Sequence, residues 1–174
     1  EKSGMPAWGL SEKLGTAYFS LMRFNVGEQR HKRNDRLTNV CWLQKEFNMK
    51  KEAIIADNAP KEIGAYSNAV RTGNLVFVSG QLPVNPVTGE VAMAIQDQTK
   101  QVIENIRNIL KDAGATLADV AKVNVVLTEM SLFSEMNAVY AKEFSEPYPA
   151  RTSMAVKELP HNALVSMDVV AVIG

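Results

Sequence analysis

The pair Gly73-Asn74 stands between two apolar runs, SNAVRT (67–72) and LVFVSGQL (75–82). A glycine beside an asparagine tolerates the positive backbone angles of a tight turn, so the two runs are predicted to pair as antiparallel strands. The chain is thereby committed to a sheet, and its other elements must cover that sheet. AIIA (53–56) reads as a short strand ahead of the hairpin, and NPVTGEV (85–91) as a second turn around Pro86 and Gly89. From about Gln96 to Ala113, Val102, Ile103, Ile106, Ile109 and Leu110 fall at helical spacing, and Gly114 supplies a stop. VAKVNVVLTEM (120–130) is a β-branched strand. Ser131 is placed to cap a second helix striped by Phe133, Met136, Val139, Tyr140 and Phe144, which Pro147 and Pro149 should end. RTSMAVKEL (151–159) and ALVSMDVVAVIG (163–174) read as the last strands, joined across Pro160-His161-Asn162. The order is β-β-β-α-β-α-β-β. This predicts an α/β (α+β) domain in which two helices cover one face of a mixed sheet. The other face also carries Val and Leu and calls for a second molecule to bury it.

These signals start at Met49. Residues 1–48 differ in character: they hold both tryptophans, the one cysteine (Cys41) and the run EQRHKRNDR, with eight Lys and Arg against five Asp and Glu. They read as an N-terminal extension outside the domain; a basic arm for a partner is the alternative. Residues 49–174 carry eleven basic against fourteen acidic residues, which argues against nucleic acid as a partner. No run has the length of a membrane span, and the apolar stretch AYFSLMRFNV lacks the form of a signal peptide. One cysteine permits neither an internal disulfide nor a cysteine-based metal cluster, and a cytoplasmic setting is expected.

Several kinds of chemistry find no support in the residues. The domain has one histidine, His161, in a Pro-His-Asn turn, so neither a Ser-His-Asp nor a Cys-His arrangement is indicated. Transition-metal ligand spacings are missing, as is a glycine-rich phosphate loop. Attention falls instead on Arg151, at the head of a strand in YPARTSMAV, with Ser153 on its side. A guanidinium binds a planar carboxylate through two parallel hydrogen bonds. The plainer reading of the same residue is an arginine ion-paired at a sheet edge.

AYSNAV, LVFVSGQLPVNPVTGEV, ENIRNILKDAG, VYAKEF and YPARTS, taken together, resemble the RidA family, also called YjgF/YER057c/UK114. The resemblance spans Met49 to Gly174. It implies a chorismate-mutase-like fold, a homotrimer with its sheets in a central barrel, sites between neighbouring subunits, and no cofactor or metal. It further implies hydrolysis of reactive enamine and imine acids, such as 2-aminoacrylate, 2-iminopropanoate and 2-iminobutanoate, to 2-keto acids and ammonia. On this resemblance Arg151 binds the substrate carboxylate, Tyr66 lines the pocket, Ser79 and the backbone of Gly80 face the substrate, and Asn137 supports the site from the second helix. Ser153 stands where many members have cysteine. Deaminase members place a glutamate where this chain has Ser166. Asp168, on the same strand face about 7 Å further on, is the remaining carboxylate. A hydroxyl has no useful basicity near neutral pH. Two other readings therefore stay open: a non-catalytic trimeric binder of small carboxylates, and an endoribonuclease.

Overall fold

The computed structural model describes residues 50–174. The expected extension over residues 1–48 and its boundary at Met49 lie outside the described residues.

Six strands and two α-helices follow one another in the predicted order: β1 (Glu52–Ile54), β2 (Ala69–Thr72), β3 (Leu75–Gln81), α1 (Ile95–Asp112), β4 (Val120–Leu127), α2 (Phe133–Glu143), β5 (Ala150–Ala155) and β6 (Val165–Val172). They form one sheet in the order β1-β2-β3-β6-β4-β5. Every pairing is antiparallel except β4 with β5. The reason is connectivity. Gly73, at φ 59°, turns β2 directly into β3, whereas α2 carries the chain back from the end of β4 so that β5 runs parallel beside it.

Both helices lie on one face of the sheet. Val76 and Val78 of β3, Val123, Val125 and Leu127 of β4, and Val165, Met167, Val169 and Ala171 of β6 meet Val102, Ile103, Ile106, Ile109 and Leu110 of α1 in the core. The five α1 residues are fully buried. At roughly 1.5–3 kcal/mol for each buried large aliphatic side chain, this stripe is a leading stabiliser of the domain. Gly114 ends α1 at φ 77°. Ala115 N–H reaches the Leu110 carbonyl at 2.7 Å and Gly114 N–H the Lys111 carbonyl at 3.0 Å, the two bonds of a Schellman motif.

Four expectations need correction. Ser131 does not cap α2: it lies in a 3₁₀ turn over Met130–Leu132, and its hydroxyl donates to Glu129 Oε2 at 3.0 Å. Leu132 holds the N-cap position, without a side-chain cap. Nor does Pro147 end α2; the helix stops at Glu143, where Phe144 turns to extended backbone and buries its ring. The strand expected at 53–56 spans Glu52–Ile54, since Ile55 is exposed and a turn closes from Ala56 to Ala59. The strand expected at 151–159 stops at Ala155, and beyond Val156, whose N–H bonds the Leu127 carbonyl at 2.8 Å, β4 offers no further partner.

Candidate functional site

Arg151 sits on β5, an edge strand, opposite Val123 of β4 in register. Val123 points into the core, so Arg151 is on the helix-covered face and its side chain meets α2. Its Nη1 donates to Asn137 Oδ1 at 2.8 Å. Its guanidinium carbon stands 4.5 Å from the centre of the Tyr140 ring and 5.3 Å from that of Phe133. Phe133, Asn137 and Tyr140 are at positions i, i+4 and i+7 of α2, hence on one side of the helix. Among the described residues Arg151 has no ion pair with a carboxylate. The edge ion pair of the plainer sequence reading is therefore not what holds it. Arg151, Asn137 and Tyr140, with Ala141, Tyr148 and Pro149, line a cavity of about 290 Å³. A part-buried guanidinium with donors to spare, at the wall of a cavity, suits a small carboxylate.

Burial raises the pKa of the Tyr140 hydroxyl above its ordinary 10.0, and the Arg151 charge opposes this. That hydroxyl is buried without a hydrogen-bond partner among the described residues.

A second cavity, of about 400 Å³, is lined by Tyr66, Asn68, Gly80, Gln81, Lys61 and His161 among others. Its loop is fixed by Glu62, whose Oε1 accepts from the Asn68 backbone at 3.2 Å and from Asn68 Nδ2 at 2.9 Å. Tyr66 is half exposed. Ser79 donates its hydroxyl proton to the Ser67 carbonyl at 2.7 Å, tying β3 to the same loop. His161 is exposed in its turn at φ 58°, as the sequence suggested.

Two strands, β6 and β4, separate β3 from β5. At about 4.8 Å per strand the β3 side of this cavity stands some 14 Å from Arg151. One chain therefore brings Arg151 and Asn137 together, and Tyr66 and Gly80 together, but not the first pair with the second.

A family model described as Endoribonuclease L-PSP matches residues 56–173. The chain belongs to the endoribonuclease L-PSP family, the RidA or YjgF family of the sequence resemblance. It is 48% identical over 124 residues to a RutC family protein of Pyrococcus abyssi, covering 71% of this chain and 98% of that protein. It is 40% identical over 124 residues to Reactive Intermediate Deaminase A, chloroplastic, of Arabidopsis thaliana, covering 71% of this chain and 66% of that protein. Among solved structures, RidA from an Antarctic Psychrobacter matches with a TM-score of 0.69 and 43% identity over 70% of this chain and 99% of that one. E. coli TdcF with bound serine matches with a TM-score of 0.67 and 34% identity over 71% and 99%. The mixed sheet with its two helices is thus a RidA-type fold.

Within that fold Ser166 and Asp168 stand apart from Arg151. In register Ser166 lies opposite Val126, and Asp168 opposite Asn124. Both therefore lie on the open face of the sheet, away from the helices. Ser166 donates to the Gln81 carbonyl at 3.0 Å and is 9% exposed. Its oxygen lies 3.5 Å from where a side chain at Gly80 would begin, so it belongs with the Tyr66 half of the molecule. Asp168 accepts from Asn124 Nδ2 at 2.8 Å. Ser153 shares the face of Arg151, one alternation further along β5.

In the sequence Phe133 and Tyr140 read only as part of the apolar stripe of α2, and Tyr148 carries no signal of its own. The signal of Phe133 and Tyr140 was present in the i, i+4, i+7 spacing of two aromatic residues about Asn137. Among the described residues no helix is long and apolar enough to cross a membrane.

Proposed function

We propose that the protein hydrolyses reactive imines of small 2-amino acids, the tautomers of the corresponding enamines, to 2-keto acids and ammonia. The observation that carries this reading is Arg151, oriented by Asn137 and two aromatic rings, unpaired with any described carboxylate, and facing a small cavity. Family membership supports it, together with a relative whose name is Reactive Intermediate Deaminase A. Arg151 holds the substrate carboxylate through charge-assisted bonds. The oxygen of a water bonds to the imine carbon, the nitrogen takes up protons, and the C–N bond breaks to release ammonia and leave the keto acid. Such imines are already electrophilic, so orientation and placed charge are the main demands on the protein.

The site would be completed between subunits of a homotrimer, with the open faces of the sheets buried against one another. Tyr66, Ser79 and Gly80 of one subunit would then approach Arg151, Asn137 and Ser153 of another, with Ser166 and Asp168 nearby on the inner face. The 14 Å gap within one chain and the exposed apolar side chains of the open face support this arrangement. The cytoplasmic setting belongs to the same proposal; two relatives carry the words chloroplastic and mitochondrial in their names.

One observation favours a second reading, a binder of small carboxylates that does not turn them over. Ser166 offers no carboxylate, and its proton is committed to the Gln81 carbonyl. The test is direct: an amino-acid oxidase generates the imine in the presence of semicarbazide, and the protein competes for it. Turnover by the wild type that disappears in Arg151→Ala supports the deaminase. An inert wild type with activity gained in Ser166→Glu supports the binder.

A further inference from the structure

We infer that Phe133 and Tyr140 are positioning residues for Arg151, two aromatic jaws that set the plane of its guanidinium before a ligand arrives. The inference rests on the proposed role of Arg151 as the carboxylate anchor. Phe133 and Tyr140 stand seven positions apart on α2, a rise of about 10 Å between their Cα atoms. The guanidinium carbon stands over both rings, 5.3 Å from one centroid and 4.5 Å from the other. Asn137, midway, takes one Nη1 proton. This fixes rotation about the remaining axis and leaves the Nε and Nη2 donors without a partner among the described residues. Tyr140 is itself braced: its ring stacks on Phe144 with centroids 4.4 Å apart and planes at 25°, and both residues are buried.

The ring of Tyr140, and not its hydroxyl, performs this task. The hydroxyl is buried without a hydrogen-bond partner among the described residues, whereas the ring face contacts the cation. Cation–π attraction is stronger the better the pair is desolvated, and an arginine with a fixed plane loses less freedom on meeting a carboxylate.

The test compares Tyr140→Leu, Phe133→Leu and Tyr140→Phe with the wild type, each shown by circular dichroism to be folded. In either leucine variant KM for the imine, and Kd for 2-oxobutanoate measured by calorimetry, should rise about tenfold while kcat stays within about threefold. Tyr140→Phe should remain within about twofold of wild type in both constants. A readout without ligand is the Arg151 Nε–H proton signal, assigned by its loss in Arg151→Ala. Ring currents should displace it in the wild type and in Tyr140→Phe, and it should move toward the free-arginine position in the leucine variants. Leucine variants that bind normally and leave that signal in place would overturn the inference. So would a Tyr140→Phe defect as large as that of Tyr140→Leu, which would give the work to the hydroxyl. If the wild type neither hydrolyses the imine nor binds the keto acid, the proposed function fails, and the Nε–H signal still decides whether the jaws hold Arg151.

Discussion

The two faces of the sheet are built to different rules. On the helix-covered face, Val76, Val123, Val125, Leu127, Val165 and Met167 are wholly buried. On the open face the register sets apolar residues in rows with polar ones between them. Phe77 lies beside Val170, Asn124 between Asp168 and Thr152, and Val126 between Ser166 and Met154. Phe77 and Met154 are each more than 40% exposed. The closed face stabilises the fold of one chain. The open face contributes little to that fold, and its side chains are free to serve assembly and the site. Arg151 is one of the exceptions, a charged residue on the closed face, possible because β5 is an edge strand and α2 supplies its partners.

The largest effect should follow from that exception. Arg151→Ala removes the one cation among the described residues that lines the 290 Å³ cavity. Loss of a desolvated carboxylate partner is expected to lower kcat/KM by between about a hundredfold and a few thousandfold. The imine-trapping assay reads this, and a loss of less than about tenfold would place the carboxylate elsewhere. Thermal stability should change little by comparison, since Arg151 has no ion pair among the described residues to lose.

Next comes a matched pair that sets one face against the other. Ile106, at zero exposure, lies under the sheet on the closed side. Ile106→Ala should cost about 2–5 kcal/mol of unfolding free energy in urea titration, from lost transfer energy and the cavity left behind. Phe77, 42% exposed on the open side, should behave in the opposite way. Phe77→Asp should leave each chain folded by circular dichroism and, if the proposed trimer assembles through this face, lower the sedimentation mass to that of a monomer, with loss of turnover. A variant that stays trimeric would move the subunit contact off this face.

Most of the fold could be read from local signals. The Gly73-Asn74 turn, the α1 stripe and the Gly114 stop are each decided by residues close in sequence, and each is present where expected. The start of α2 could not be read this way. Ser131 has the chemistry of a cap, but Glu129 takes its hydroxyl and a 3₁₀ turn occupies the place. The site divides along the same line. Asn137 meets Arg151 because α2 returns directly onto β5, a short-range consequence of one βαβ unit. That Ser166 faces away from Arg151 follows from registers β6–β4 and β4–β5 read together, and no window of sequence contains both.

Tyr140 gives a smaller effect with a definite sign. Burial, partly offset by the Arg151 charge, raises its folded pKa above 10.0. In the unfolded chain the phenol ionises near its ordinary value. The folded form therefore keeps a proton that the unfolded form gives up, so the Tyr140 contribution is intact below about pH 10 and is lost as pH rises through the folded pKa. Unfolding free energy should fall more steeply in the wild type than in Tyr140→Phe as the pH rises above about 10. Equal slopes would mean that the phenol is not buried as described.

The smallest effect concerns what fastens the two helices over the closed face. Arg107 of α1 donates to Glu143 of α2 at 2.7 Å and also pairs with Glu104. Burial works against the Arg107 charge, but the hydrogen bond to Glu143 and the neighbouring carboxylate charges outweigh it, so the pKa is raised and the guanidinium stays cationic. The pair is nevertheless on the surface, with side chains 42% and 30% exposed. Solvent and salt screen it, and it is expected to contribute only about 0.2–1 kcal/mol. Glu143→Gln should lower the unfolding free energy within that range in dilute buffer, and the difference should shrink in 1 M salt, where the Debye length is about 3 Å. A loss comparable to Ile106→Ala would mean that the ion pair and not the aliphatic stripe keeps α2 in place. The orientation of Arg151 would then depend on a surface charge 36 residues away from its partner in sequence. A small, salt-sensitive loss would leave the apolar contacts of the closed face as the support on which Asn137, Phe133 and Tyr140 are carried to the arginine.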